Sequence, residues 1–172
     1  MLAPVWEGRA GPETLIPLGA ALDQLPGPPQ RALDLGTGTG KAARVVARRF
    51  PEVEVVGVDL SPAMVEQAKG LLPDELAPRV RFEVADANEL PFEDGSFDLV
   101  VLMNMIPFFE ELARVTAPGG HAIFASTHGA DTPIYVPADT LRSRLAAVGF
   151  GNFEELTAGE GSALLAARAE RH

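Results

Sequence analysis

The chain has 172 residues, 47% of them hydrophobic and 22% charged, an ordinary balance for one domain built around a single substantial core. Its 24 acidic and 14 basic residues leave a net charge of −10, which repels a polyanion, so a small-molecule substrate is expected and a nucleic-acid partner is not. The absence of cysteine excludes disulfides, thiolate metal sites and a cysteine nucleophile.

No run approaches the roughly 20 consecutive apolar residues of a membrane span, and the start MLAPVWEGRAG lacks the basic and apolar pattern of a leader. A cytoplasmic protein with no membrane partner is therefore expected. Short β-branched runs alternate with longer helical patterns, the signature of a parallel sheet with helices on its faces. A helical piece is expected over about Pro12 to Gln24, closed by the breaker-rich LPGPPQ. RALDLG reads as the first strand, its near-continuous apolar character suiting burial on both faces. A helix follows from about Thr39 to Phe50, stopped by Pro51, and VEVVGVDL is the second strand.

SPAMVEQAKGLL opens a helix with Ser61 as N-cap and Pro62 in the first turn. RVRFEVADA is the third strand and FDLVVLM the fourth. PFFEELARVT is read as a short helix stopped by Pro118, and GGHAIFAST, entered through a Pro-Gly-Gly turn, as the fifth strand. PADTLRSRLAAVGF is helical, with Leu141, Leu145 and Val148 on one face, and NFEELTA and SALLAAR form a terminal hairpin around GEG.

The chemistry starts at LDLGTGTGKAA, residues 33–43, a glycine-rich turn between a strand and a helix. A P-loop needs G-x-x-x-x-G-K-[ST]. Here three residues separate Gly36 from Gly40, and Ala42 stands where a magnesium hydroxyl is required. A dinucleotide fingerprint needs a third glycine where this chain has Lys41. The remaining reading is an acid followed by G-x-G-x-G: Asp34, Gly36, Gly38 and Gly40. Side chains at those glycines would collide with a close ligand. Asp59 closes the second strand, where a carboxylate can accept both ribose hydroxyls of an adenosine ligand. It can equally cap the helix at Ser61.

Together with GVDLSPAMVEQAK, VADANELPFEDGSFDLVV and ELARVTAPGGHAIFA, the turn resembles the class I S-adenosylmethionine-dependent methyltransferases, notably the small-molecule enzymes of the ubiquinone and menaquinone type. The resemblance covers roughly Leu33 to Ser126. It implies an α/β, Rossmann-like, doubly wound three-layer fold with a seven-stranded, mostly parallel sheet, its last strand inserted antiparallel between the fifth and sixth. It implies S-adenosyl-L-methionine as cofactor. The cofactor-binding residues it implies are Asp34, Gly36, Thr37, Gly38 and Asp59, with Leu60 and Met64 flanking the adenine. Asp86 and the Ala87 amide would read the adenine edge, and Met103 would lie near the reacting methyl. A single domain is expected over residues 1–172, with 1–30 as a cap, 31–126 as the cofactor-binding core and 127–172 as a C-terminal helix and hairpin.

The acceptor is not indicated. NMIP departs from the N-P-P-Y pattern of amino-group methyltransferases, and Lys41 and Lys69 do not make the Lys-Asp-Lys-Glu set of 2′-O-RNA enzymes. No acid cluster marks a metal site. His128, Asn104 and Tyr135 are weak catalytic candidates, His128 because imidazole titrates in the useful range. Trp6, Glu7 and Arg9 precede the first helix, where the resemblance implies a lid over the cofactor, and a homodimer could complete the lean substrate region. Two further readings stay open at this stage: a protein that binds S-adenosylmethionine without transferring its methyl group, and a nicotinamide-dependent oxidoreductase.

Overall fold

Strand β1 (Arg31–Leu35) is buried at four of its five positions because it lies mid-sheet, with a parallel neighbour on each side. The computed structural model describes residues 15–105, 107–126, 136–159 and 161–170. Within them run α1 (Ile16–Leu22), β1, α2 (Lys41–Arg49), β2 (Glu54–Asp59), α3 (Pro62–Leu71), β3 (Val80–Val84), β4 (Phe97–Met103), α4 (Phe109–Val115), β5 (Thr116–Ser126), α5 (Ala138–Ala147), β6 (Phe150–Ala158) and β7 (Gly161–Arg168).

The seven strands make one sheet in the order β3-β2-β1-β4-β5-β7-β6. Strands β1 to β5 pair in parallel, and β7 pairs antiparallel with both β5 and β6. The inserted antiparallel last strand is therefore borne out. Alternate residues along each strand feed opposite faces. Ala32, Val55, Leu99, Val101 and Ile123 pack with α1, α2 and α3, whereas Leu33, Val56, Val100, Leu102 and Phe124 pack with α4 and α5. These are the three layers expected of a doubly wound α/β fold.

Local signals place the elements well. The Ser61 hydroxyl accepts from the Met64 amide at 3.3 Å, and Pro62 begins α3. Strand β4 coincides with FDLVVLM. The start of β5 adds one detail to the sequence reading. Pro118, Gly119 and Gly120 fall within the span of β5, which begins at Thr116 directly after α4, but none of them pairs with β4, so the continuous ladder starts at His121. Thr116 pairs with Phe97, the register then slips, and Leu99 pairs with His121. The irregularity absorbs a proline that has no N–H to give and a Gly119 at φ +81°. Gly120 is required by space, since a Cβ there would lie 2.9 Å from the Ala117 carbonyl and 3.0 Å from that of Asp98.

Candidate functional site

All five parallel strands point their carboxyl ends at one edge, the edge where open α/β sheets bind ligands. Leaving β1, the chain turns through three left-handed glycines, Gly36, Gly38 and Gly40, at φ +69°, +56° and +86°. They do different work. A Cβ on Gly36 would sit 2.7 Å from the Met105 sulfur, and one on Gly40 would sit 2.7 Å from the Phe82 ring, so at both positions the collision is with the protein itself. At Gly38, among the described residues, a Cβ would meet nothing within 4 Å. The close approach expected of all three glycines thus belongs to one.

The turn is knitted to its neighbours by its own amides. Thr37 donates to the Val58 carbonyl (2.8 Å), Gly40 to the Thr37 carbonyl (2.9 Å) and Gly38 to Asp59 Oδ2 (2.9 Å). Three donors that a phosphate cradle would aim at its anion are therefore committed internally.

Asp34 lies beneath the turn, only 2% exposed. Its carboxyl group accepts from Thr37 Oγ1 at 2.7 Å and from the Ala43 amide. Burial outweighs these bonds, and with the like charge of Asp59 it raises the Asp34 carboxyl to about 7. Asp59, at the end of β2, is fixed from two sides, Oδ2 by Gly38 and Oδ1 by the Ser61 amide at 2.9 Å. Both the ligand-facing and the helix-entry readings of Asp59 meet in this geometry, because each carboxylate oxygen keeps a second lone pair.

Beside it stand two large apolar side chains on the surface, Leu60 at 70% exposure and Val84 at 50%. Val84 pairs with Asp59, the residue that precedes Leu60. Met64 is half-buried on the first turn of α3. Asp86 is exposed just past β3, where its Oδ1 accepts from the Asn88 amide at 2.9 Å, and Ala87 beside it is buried. Met103 ends β4, and Asn104 follows at φ +52°, a left-handed conformation uncommon outside glycine, pinned by its amide to the Ala125 carbonyl at 2.9 Å.

Beyond Asn104 opens a small cleft of about 50 Å³ between the carboxyl ends of β4 and β5, the start of β7 and the start of α5. Met105 borders both spaces, facing Gly36 on one side and lining the cleft on the other. His128, Tyr135, Trp6, Glu7 and Arg9 lie outside the described residues. Among the described residues, no group of three His, Asp or Glu side chains is placed to hold a metal.

Sequence reasoning missed the pair that secures the loop before β4. Arg114 donates to the carbonyls of Phe92 (2.6 Å) and Leu90 (3.1 Å), and bonds Asp94 (3.0 Å) and Glu111 (2.5 Å). Glu111 in turn accepts from the Leu90 amide. These bonds to Arg114, ahead of the Leu90 amide, hold the Glu111 carboxyl below its usual range. Phe92 meets Phe97 edge-on at 5.0 Å. The LPFEDGSF run is thus a fastened structural loop. The signal available in sequence was the Glu111–Arg114 spacing of three on a helix.

The architecture is that of solved methyltransferases. The chain superposes with a TM-score of 0.79 on a chain from the complex between the Haloferax volcanii Trm112 methyltransferase activator and a methyltransferase, covering 98% of this chain and 94% of that one at 21% identity. It also superposes on the Haemonchus contortus phosphoethanolamine N-methyltransferase 2, solved with S-adenosyl-L-methionine, with a TM-score of 0.76 at 20% identity over 98% of this chain and 57% of that one. The methyltransferase domain family matches residues 32–120, half of the sequence, and the chain belongs to that family. Among sequence relatives, the demethylmenaquinone methyltransferase of Thermus thermophilus is 42% identical over 108 residues, 55% of this chain and 46% of that protein. The chain spans between 30% and 46% of the length of the curated relatives it matches.

Proposed function

We propose that the chain binds S-adenosyl-L-methionine along the carboxyl edge of β1 to β4 and transfers its methyl group to a small-molecule acceptor in the cytoplasm. In this reading residues 31–126 form the cofactor-binding core of a single domain, residues 1–30 its cap and residues 127–172 its C-terminal part.

The observation that carries the reading is the chemistry of the turn. Its Thr37, Gly38 and Gly40 amides are spent inside the protein, and Asp34 and Asp59 stand beside it. Those three amides are not available to a pyrophosphate, whereas the Asp59 carboxylate suits the adenosine end of the ligand.

The cofactor supplies an activated methyl group. Asp59, oriented by the Gly38 and Ser61 amides, accepts the ribose hydroxyls. Leu60 and Met64 cover the adenine faces, and Asp86 with the Ala87 amide reads the adenine edge. Gly38 leaves the turn open to the ligand, with Gly36 and Thr37 shaping the backbone there. Asp34 acts through Thr37 rather than on the ligand directly. Met103 and Asn104 border the acceptor side. What remains for the chain is alignment of the acceptor with the methyl–sulfur bond, worth roughly 7–11 kcal/mol at best.

Incubating the protein with methyl-labelled S-adenosylmethionine and a small-molecule metabolite extract tests the transferase step. Label is expected in at least one extract compound. Cofactor binding without any transfer would leave a binding protein in place of an enzyme.

A further inference from the structure

The chain has no cysteine and four methionines, of which Met64, Met103 and Met105 are internal. Methionine commonly fills gaps in a core. Here the three internal methionines are half-buried, and the fully buried hydrophobic residues include none of them. All three lie along the carboxyl edge of the sheet: Met64 on the first turn of α3, Met103 at the end of β4 and Met105 two residues beyond. Every internal sulfur of the chain therefore borders the proposed cofactor edge and is partly open to a dissolved oxidant.

Met105 differs from the other two in what it touches. Its Sδ, Cγ and Cβ face Gly36, where a Cβ would lie 2.7, 3.2 and 3.5 Å from them. The same side chain packs against the buried cluster on the α4 and α5 side of the sheet, whereas Met103 packs on the opposite face. Gly36 cannot yield to it. Its φ is +69°, and the Thr37 amide that follows is tied to the Val58 carbonyl at 2.8 Å.

We propose that Met105 is an oxidation site that governs the turn: hydrogen peroxide converts its thioether to the sulfoxide, and the modified side chain leaves Gly36. A sulfur lone pair attacks one peroxide oxygen, the S–O bond forms as the O–O bond breaks, and the second oxygen departs as water with both protons. Sulfur is oxidised by two electrons and the peroxide reduced by two. The shortage of space that excludes a Cβ on Gly36 also excludes a sulfoxide oxygen from that contact. On the other side, the apolar cluster gives the polar oxygen no hydrogen bond. The side chain swings out, and the turn loses its packing on the β4 side. The effect on binding rests on the cofactor reading above; the modification and its effect on the fold do not.

The test uses a chain carrying Met64→Leu and Met103→Leu, volume-conserving changes that leave Met105 as the internal thioether. It is treated with hydrogen peroxide, and the oxidised residue is located by mass spectrometry of its peptides. Melting temperature and S-adenosylhomocysteine affinity are measured before and after. Sulfoxide is expected at Met105, with a lower melting temperature and at least about tenfold weaker binding, both restored by methionine sulfoxide reductases. Adding Met105→Leu is expected to abolish the response to peroxide. In the native chain, which needs no substitution, affinity should fall at the rate at which Met105 is oxidised. Absence of sulfoxide at Met105, sulfoxide there with unchanged affinity, or an equal response after Met105→Leu overturns the proposal. If the untreated native chain does not bind S-adenosylhomocysteine, the cofactor reading fails and the melting temperature alone decides the oxidation site. If it binds and oxidation of Met105 leaves binding intact, the oxidation site fails and the cofactor reading stands.

Discussion

The amide of Gly38 donates to Asp59 across 2.9 Å, tying the turn after β1 to the end of β2. One hydrogen bond thus joins the residue that leaves the turn open with the acid proposed to hold the ribose. The second Asp59 oxygen takes the Ser61 amide, so the carboxylate is immobilised before any ligand arrives. Preorganisation of this kind removes a side-chain ordering cost from binding.

Asp59→Ala should therefore weaken S-adenosylhomocysteine binding by about 100-fold, the loss of charge-assisted hydrogen bonds worth about 2–3 kcal/mol. Asp59→Asn, which keeps one acceptor oxygen, should fall between Ala and the native chain. Calorimetric titration measures both. Native affinity in the Ala variant would remove Asp59 from the site.

The three glycines should separate by phenotype. Gly40→Ala drives a methyl group into the Phe82 ring and should lower the melting temperature most visibly. Gly38→Ala meets nothing among the described residues and should cost only the backbone strain of its positive φ, about 1–2 kcal/mol. Relative to that modest cost it should lose the most cofactor affinity. Parallel melting curves and titrations on the two variants decide this.

Asp34 makes stability depend on pH in a stated direction. Its carboxyl titrates near 3.8 in the unfolded chain and at about 7 in the folded one. Between those values the folded state holds a proton that the unfolded state has released, so this group's contribution falls as pH rises from about 4 to about 7, and is level outside that window. Asp34→Asn cannot titrate. In urea unfolding its stability relative to the native chain should improve from pH 4.5 to pH 7.5. A difference independent of pH would contradict this assignment.

Arg114→Ala leaves the Leu90 and Phe92 carbonyls without their donor and Glu111 without its cation. Arg114 is partly exposed, which moderates the effect, and a loss of about 2–3 kcal/mol is expected in urea unfolding. If LPFEDGSF is structural, cofactor affinity measured well below the denaturation midpoint should change less than threefold, about 0.6 kcal/mol.

The sequence carried the fold class because each element has its own local signal: apolar runs for the buried strands, Ser61 and Pro62 for α3, Asp94-Gly95 for the turn before β4. Strand order is not contained in such signals, and it was legible only through the family resemblance. The isolated pairing of Thr116 with Phe97 ahead of the Pro-Gly-Gly segment was not legible, because no local signal marks a single residue paired before a turn. The division of labour among the glycines was hidden for a similar reason. It depends on Met105 and Phe82, which come from distant parts of the chain. Asp34 could be read as an acid beside the turn, but its burial could not.

The central claim is that this turn serves a sulfonium nucleoside and not a dinucleotide. Titrating the purified chain with S-adenosylhomocysteine and with NAD in the same buffer tests it most directly. The account predicts saturable binding of S-adenosylhomocysteine and at least about 100-fold weaker binding of NAD, because the Thr37, Gly38 and Gly40 amides are already committed within the protein. Equal affinity for the two ligands, or tighter binding of NAD, would contradict it.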